Sequence, residues 1–442
     1  MKLNWQVSDA SEIRGNRKII RGWIMYDWAN SVYQLTIASA IFPVYFQQVT
    51  SFNADRTISF FGLEVINSVA YSWAIALAYF VVALLSPIMS AIADFTGRRK
   101  MFMRAFTLIG AVSSASLFFF DQNHIEVGLI AFFLGTLGYT GGLVFYNSFL
   151  PVIAAPEQQD SVSARGYSMG YLGGVILLVM NLVLLLFPKF FGITDPLLPA
   201  KISFLTVGLW WFGFSMITFS VLPKYTFGEN RLKSGVISGA YRELRTVFRE
   251  IRKHPDLFVY LGGFFFMVMG VITVMFMAAT YGEKALHIPT ETLISTILLI
   301  QLLGMAGAYL TAWISKKIGN ILILSLYVPC WVGATVLAYF ITDATGFMVV
   351  AVIVGLLMGG TQALLRSGFS RMLPETHDHT SYFSFYDVLE KLATVGGMFF
   401  FGLAEAITGD MHTSVLMVVI CFVLAMPFFG FLLFRAKKQR HL

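Results

Sequence analysis

Long apolar runs separated by short polar connections dominate this chain. A membrane-crossing helix needs about 20 mainly apolar residues, more when it tilts. Twelve runs meet that requirement, at approximately 22–46, 66–92, 101–120, 125–149, 163–187, 201–222, 257–281, 291–314, 321–341, 346–372, 381–405 and 413–434. Inside lipid only helices and closed barrels satisfy the backbone. Runs of this length without two-residue alternation predict helices. Residues 1–21 are polar and charged, and the first apolar run is too long for the core of a signal peptide. The expected fold class is therefore an all-α membrane protein with twelve transmembrane helices.

The connections are uneven in charge. Twelve spans put both termini on one side, and the connections there carry twenty-six of the 31 Lys and Arg residues. The opposite side carries four, Arg56, Lys189, Lys201 and Lys284, while Lys391 lies within a span. Basic residues stay on the cytoplasmic side of a span. Both termini are thus expected in the cytoplasm, with a bacterial inner membrane as the expected location. Composition agrees: 57% of residues are hydrophobic, 12% are charged, and mean hydropathy is +0.73. A soluble domain carries about 25% charge, so soluble-enzyme, disordered, fibrous and nucleic-acid-binding classes are excluded. The net charge of +7 reflects the one-sided loops and implies no nucleic-acid partner. Cys330 and Cys421 sit in separate spans and form no framework.

An internal repeat divides the chain. Pro151 precedes Gly173-Gly174 by 22 residues, and Pro374 precedes Gly396-Gly397 by the same interval, an offset of 223. The expected domains are an N-terminal segment (1–21), a six-helix bundle (22–222), a linker (223–256), a second six-helix bundle (257–434) and a basic tail (435–442). Two parallel six-span repeats are the architecture of the major facilitator superfamily, whose halves rock about a midplane site. In the linker, Ile237, Tyr241, Leu244, Phe248 and Ile251 recur at helical spacing among Arg242, Arg245, Arg249, Arg252 and Lys253. This predicts an amphipathic helix, either lying on anionic inner-leaflet lipid or packed beneath the bundles.

Several enzyme-like strings do not hold up. Gly166-Tyr-Ser168-Met-Gly170 matches a nucleophile elbow, but that motif needs a strand-to-helix turn. Here it continues to Gly174 within an apolar run, and small residues every fourth position make a helix-packing face. His377-Asp378-His379 lies in a short loop without further metal-ligand spacing. No G-x4-G-K-[ST] string occurs. No metal, cofactor or catalytic residue is expected, and the protein is not expected to be an enzyme. A membrane-embedded prenyltransferase would need paired acidic clusters for Mg²⁺. Asp387-x-x-Glu390, with Lys391 beside it, is a single short pair.

Polar residues inside spans are costly and usually face a cavity or a partner helix. Span 1 carries Asp27, Asn30, Ser31 and Gln34 on one helical stripe. Span 4 contributes Thr136, Tyr139 and Thr140. Span 10 contributes Thr361, Gln362 and Arg366, and span 11 places Asp387, Glu390 and Lys391 on one face. Asp27, Asn30, Gln34, Tyr139, Gln362 and Glu390 are the candidate substrate or proton site. The charged set falls in the cytoplasmic third, where it serves either as an ion-pair gate or as a site open to the cytoplasm. Arg366, Asp387 and Lys391 are assigned to the gate. So are Asp94, Gly97 and Arg98 of the loop after span 2, which resembles the facilitator motif G-x-x-x-D-x-x-G-R-[RK] with Ser90 in the leading position. The resemblance implies that the aspartate meets the N-terminus of span 11, where a carboxylate encounters a partial positive charge.

The strings Tyr26-Asp27-Trp28-Ala29-Asn30-Ser31-x-Tyr33 and Phe42-Pro43-x-Tyr45-Phe46 resemble the vacuole-effluxer-like branch of that superfamily. Asn147-Ser-Phe-Leu-Pro151, Gly170-Tyr-Leu-Gly-Gly174, Gly359-Gly-Thr-Gln-Ala-Leu-x-Arg366-Ser367 and Phe385-Tyr386 followed by Lys391 extend the likeness over both halves. Asp387 stands where the branch would carry Glu. The resemblance implies efflux or exchange of an amino acid or similar small solute. The expected mechanism is proton-coupled alternating access, by a monomer in the lipid bilayer. Export of lipids or amphipathic drugs is the alternative.

Overall fold

A computed structural model describes residues 13–51, 56–96, 98–154, 156–224, 236–373 and 379–440. Helix α1 runs over 17–50. It opens as Arg17–Val32, winds as a π-helix over Tyr33–Ile41 and closes as Phe42–Thr50. The Asn16 side chain caps its start, accepting from the backbone N–H groups of Lys18 (2.9 Å) and Ile19 (3.3 Å). Two strands follow, β1 (Thr57–Phe60) and β2 (Leu63–Ile66), paired antiparallel. The remaining helices are α2 (Asn67–Thr96), α3 (Arg99–Ser116), α4 (Ile125–Ile153), α5 (Pro156–Leu186), α6 (Leu198–Val221), α7 (Val236–Ile251), α8 (Pro255–Lys284), α9 (Thr290–Ile318), α10 (Asn320–Phe340), α11 (Ala344–Met372), α12 (His379–Thr408) and α13 (Met411–Arg440). Eleven helices among the described residues are long and apolar enough to cross a membrane. The twelfth expected span falls on α1.

The observed helices overrun the predicted spans by a turn or so at many ends, because polar residues continue the winding after the apolar run stops. The hairpin is new. Phe61 (φ 49°) and Gly62 (φ 82°) occupy its two turn positions, the paired left-handed conformations of a type I′ turn. Its strands are too short and too apolar to stand out beside the adjoining spans.

The chain forms two compact units. One comprises Met1–Tyr45 and Ala78–Tyr241; the other comprises Phe46–Leu77 and Arg242–Leu442. In the first, α1 packs on α5 and α6, and α3 packs on α4 and α6. In the second, α8 packs on α12 and α13, and α10 packs on α11 and α13. The same four pairings recur with seven added to each helix number, α7 being the linker. Lipid gives helices no hydrophobic reason to associate, so close backbone approach through small residues does the work. A Cβ added at Gly173 of α5 would lie 2.7 Å from the Trp28 carbonyl oxygen of α1. One added at Gly397 of α12 would lie 2.7 Å from the Met269 carbonyl oxygen of α8. Both repeated glycine pairs thus serve the same helix pairing, though the close carbonyl contact falls on the first glycine of one pair and on the second of the other. Gly166-Tyr-Ser168-Met-Gly170 lies within α5, on this packing face.

The apolar stripe of α7 turns toward protein. Val247 and Ile251 are buried, and the Phe248 ring lies 6.0 Å from Phe385 and 6.3 Å from Phe258. Arg242, Arg245, Arg249 and Arg252 are exposed.

Candidate functional site

Asp27 sits midway along the first part of α1 and is buried. Its Oδ2 accepts a hydrogen bond from the Tyr146 hydroxyl of α4 at 2.7 Å. Tyr146 is fixed by Trp23, whose ring stacks on it at 4.2 Å and whose Nε1 donates to the Tyr146 carbonyl oxygen at 2.9 Å. On the α5 side a Cβ at Gly166 would come within 2.6 Å of Asp27 Oδ2, so only glycine leaves room for the carboxylate. Asn30, one turn later, is fully buried, and neither its amide nitrogen nor its amide oxygen has a partner among the described residues. Such a group costs about 1–3 kcal/mol unless water or a ligand satisfies it.

Gln34 lies inside the π-helical stretch, where the 3.6-residue repeat no longer applies, so the predicted four-residue stripe holds only for Asp27, Asn30 and Ser31. Gln34 is half-buried, whereas Asn30 is enclosed. π-Helical turns are rare and cluster at functional sites. Thr36 and Ser39 in the same stretch are also buried with unpartnered hydroxyls. Tyr139 of α4 stacks on Tyr33 with ring centres 5.6 Å apart, and the Tyr33 hydroxyl is held by Thr136 at 2.8 Å. The first unit thus gathers one carboxylate, one unsatisfied amide and several tyrosines.

The second unit is charged instead. On α12, Lys391 is buried and pairs with Asp387 one turn earlier. Glu390 is half-buried, within electrostatic reach of Asp387, Lys391 and Arg366. The structure therefore brings these four together, with the ion pair made inside a single helix. Gln362, one turn before Arg366 on α11, donates through its amide to Met275 Sδ at 3.1 Å.

The loop after α2 is seen in part. Gly97 and the Asp94 side chain lie outside the described residues, as does His377-Asp378. Arg98 is exposed. Lys100 is buried, donating through Nζ to the Leu222 carbonyl oxygen at 2.5 Å. Arg104 donates to the Phe219 carbonyl oxygen at 3.2 Å. Two residues of this basic cluster therefore cap the last carbonyls of α6, where a cation meets the negative end of the helix dipole.

A second cluster escaped the sequence reading. Glu405 of α12 is fully buried, and its Oε1 accepts from Lys284 Nζ at 2.6 Å and from the Ser68 hydroxyl at 2.6 Å. Lys284 Nζ also donates to Ser68 Oγ at 2.7 Å. Arg56 pairs with Glu283 at 3.1 Å. Glu405 sits in Phe-Gly-Leu-Ala-Glu405-Ala, one turn from a helix end, where a lone carboxylate looks like an ordinary boundary residue. Ser68 is 337 positions away, a separation no local pattern reveals. Among the described residues no group of three or more His, Cys, Asp or Glu could hold a metal ion.

The geometry is that of a polytopic protein with polar chemistry enclosed in two repeated bundles, and the comparisons with known proteins agree. The solved structure of the nucleoside transporter NupG superposes with a TM-score of 0.66 at 13% identity, covering 94% of this chain and 99% of that one. A bacterial homologue of the human lysosomal transporter Spinster gives 0.66 at 13% identity, covering 94% and 96%. At such identity these show the fold alone, that of the major facilitator transporters. The uncharacterised MFS-type transporter YxiO of Bacillus subtilis is 28% identical over 413 residues, 92% of this chain and 93% of the relative. Autophagy-related protein 22 of Saccharomyces cerevisiae is 22% identical over 504 aligned positions, 95% of this chain and 94% of the relative. The protein is thus a multi-pass membrane transporter of the major facilitator type. The sequence pattern described as vacuole effluxer Atg22-like matches residues 15–441, nearly the whole chain, and the protein belongs to that family.

Proposed function

We propose that this protein exports an amino acid or a similar small solute bearing an amino group, by proton-coupled alternating access. The observation that carries the reading is the enclosed pair on α1. The Asp27 carboxylate, oriented by Tyr146, offers an anion to an ammonium group. The Asn30 amide, with donor and acceptor both unengaged, offers the complementary hydrogen bonds. Efflux is the activity named in the family's description. The basic-residue asymmetry supports termini in the cytoplasm of a bacterial cell, and the exposed arginines of α7 suit anionic inner-leaflet headgroups. The protein acts as a monomer.

One observation favours the amphipath reading. A cavity in the second unit, lined by Met277, Phe347, Val350, Phe401 and Val415 among others, is mostly apolar, and the hydroxyls of its Thr273, Tyr281 and Thr335 are turned to backbone carbonyl oxygens. It offers an amine no charged partner, and it suits an alkyl chain.

The deciding experiment is counterflow of labelled amino acids in proteoliposomes. Wild-type protein is expected to exchange at least one amino acid. Asp27→Asn is expected to lose exchange through loss of a charge-assisted hydrogen bond of about 1.5–3 kcal/mol, roughly ten- to a hundredfold in affinity. Exchange and pH-gradient-driven accumulation both at wild-type level in the Asn variant would remove Asp27 from the site. Exchange of amphipaths with no amino acid moved would select the other reading. Retained exchange with loss of accumulation driven by a pH gradient would assign Asp27 to the proton rather than the solute.

A further inference from the structure

A tyrosine pins the same corner of each unit. Tyr45 of α1 donates to the Phe120 carbonyl oxygen just past α3 at 2.7 Å, and Tyr281 of α8 donates to the Ala338 carbonyl oxygen near the end of α10 at 2.6 Å. At the other end of the same helices, Trp23 Nε1 donates to the Tyr146 carbonyl oxygen of α4, and the Tyr260 hydroxyl donates to the Leu365 carbonyl oxygen of α11. These bonds set a register between the repeats. Phe120 and Ala338 are the paired acceptors. Phe42 and Ala278 each stand three residues before the pinning tyrosine, and Phe132 and Ala351 each stand fourteen before the acceptor at the other end. Three phenylalanines of the first unit thus answer to three alanines of the second.

In the first unit those rings fill the layer. Phe42 stacks on Phe132 at 4.5 Å and meets Phe120 at 6.0 Å, and Phe204 of α6 closes the group at 5.9 Å from Phe42. All four are fully buried. In the second unit Ala278, Ala338 and Ala351 all line the apolar cavity, and α13 adds Val415 and Val418 where α6 adds Phe204. The bundle therefore does not force the space: rings close one copy of the layer, and alanines leave the other open. Protein interiors pack closely, and an unfilled apolar cavity destabilises in proportion to its volume.

The lining admits one class of occupant. The hydroxyls of Thr273, Tyr281 and Thr335 are turned to carbonyl oxygens, and no charged residue lines the space. Thr273 and Tyr281 bound it along α8, eight residues and about 12 Å apart. Such a space stays dry and takes an apolar guest. The cavity is partly open, and its walls α10, α11 and α13 turn Leu337, Val349 and Leu416 outward, to where the bilayer lies. The apolar chains beside that wall are those of the lipid itself. We propose that the cavity is a resident lipid site, in which the end of one phospholipid acyl chain takes the place of the rings that the first unit carries. The chain completes the core of the second unit and is no part of the solute path.

The test is photolabelling of full-length protein in vesicles that contain a trace of phosphatidylcholine with a diazirine in one acyl chain. Val350 and Val415 line the cavity and are 7% exposed, whereas Val349 faces outward at 51%. Adducts are expected on Val350 and Val415 as well as on Val349. Ala351→Phe, which restores the ring of the first unit, is expected to cut the Val350 and Val415 adducts at least about tenfold, because shutting about two methylenes out of an apolar site costs that much affinity. Its Val349 adducts are expected to stay. If that variant yields no folded protein, Ala338→Leu decides by the same comparison. Wild-type adducts confined to outward-facing residues overturn the proposal, as do undiminished Val350 and Val415 adducts in the filled variant. So does labelling of these two residues by a diazirine-bearing alkylamine from the aqueous phase and not by the lipid, which marks the cavity as a cargo site. No turnover enters the readout, so failed labelling and failed amino-acid counterflow are separate results.

Discussion

Helices α1 and α8 occupy the same place in the two repeats and share almost nothing in chemistry. Each is approached by a glycine of the fifth helix of its repeat, Gly173 of α5 on Trp28 and Gly397 of α12 on Met269. Yet α1 encloses Asp27, Asn30 and a π-helical stretch, whereas α8 runs largely apolar from Leu257 to Ala279 and carries its charges at its two ends, in Asp256, Glu283 and Lys284. Packing contacts were kept in both copies; polar chemistry was divided between them. The first unit holds the carboxylate and amide on which the proposed function rests, and the second holds buried ion pairs.

The comparison can be broken most severely at the glycines. Gly173→Val and Gly397→Val each force a side chain against a backbone carbonyl, which cannot move without its helix. Overpacking costs about 1–3 kcal/mol and more where backbone must shift. Both variants are expected to lose the monodisperse peak in fluorescence-detected size exclusion. Gly213→Val and Gly430→Val, where an added Cβ meets nothing within 4 Å, are expected to keep it. Loss at one glycine and tolerance at the other would show that the two contacts are not equivalent.

A milder contrast uses two buried tyrosines. Tyr146→Phe removes the hydroxyl that orients Asp27, and solute affinity is expected to fall about tenfold, for a hydrogen bond to a charged group of about 1.5 kcal/mol. Tyr260→Phe in the second unit removes a hydroxyl that donates to the Leu365 carbonyl oxygen at 2.6 Å. It is expected to cost about 1 kcal/mol of stability and leave affinity unchanged. Equal effects on counterflow affinity would blur the division of labour.

The smallest test concerns equivalent helix starts. Asp195 precedes α6 and accepts from the Leu197 N–H at 2.9 Å. Asp410 precedes α13 and accepts from the N–H groups of His412 and Thr413 and from the Thr413 hydroxyl. Partial burial raises the Asp410 pKa, but these three hydrogen bonds outweigh it and hold the carboxyl below its ordinary value. A group depressed in the folded state stabilises above its unfolded pKa and stops doing so as pH falls through the folded value. Asp410→Ala is expected to cost about 1 kcal/mol near neutrality and Asp195→Ala less. The Asp410 difference should close below about pH 4. Thermal melts over that range measure it, and a difference that persists in acid would show that the ionised carboxylate is not what counts.

The sequence revealed most of the scaffold because hydropathy acts residue by residue along each span and glycines mark close approaches. It singled out Asp27 and Asn30, both of which the fold buries, because a carboxylate and an amide stand out in an apolar helix. It did not reveal that Gln34 falls beyond a change of winding, since a helical wheel assumes constant pitch. Nor did it reveal Glu405, whose meaning depends on Ser68 and Lys284. The stripe of α7 was readable as amphipathic, but which surface covers it depends on Phe258 and Phe385, set by the packing of α8 and α12. The hairpin was hidden by scale: four-residue strands vanish between apolar runs several times longer.

Lys100 and Arg104 give the basic loop a double life. Basic residues at the end of a span bias the direction in which the chain is threaded during biogenesis, a step that weighs sign and position and ignores geometry. After folding, Lys100 caps α6 through one carbonyl oxygen, with its ammonium enclosed. The translocon and the finished protein therefore inspect the same side chain by different criteria, at different times. Arginine at position 100 would satisfy the first inspection and strain the second; a neutral residue would weaken both. A transport phenotype from this loop is consequently a record of two filters in series, and only a count of correctly inserted molecules separates them.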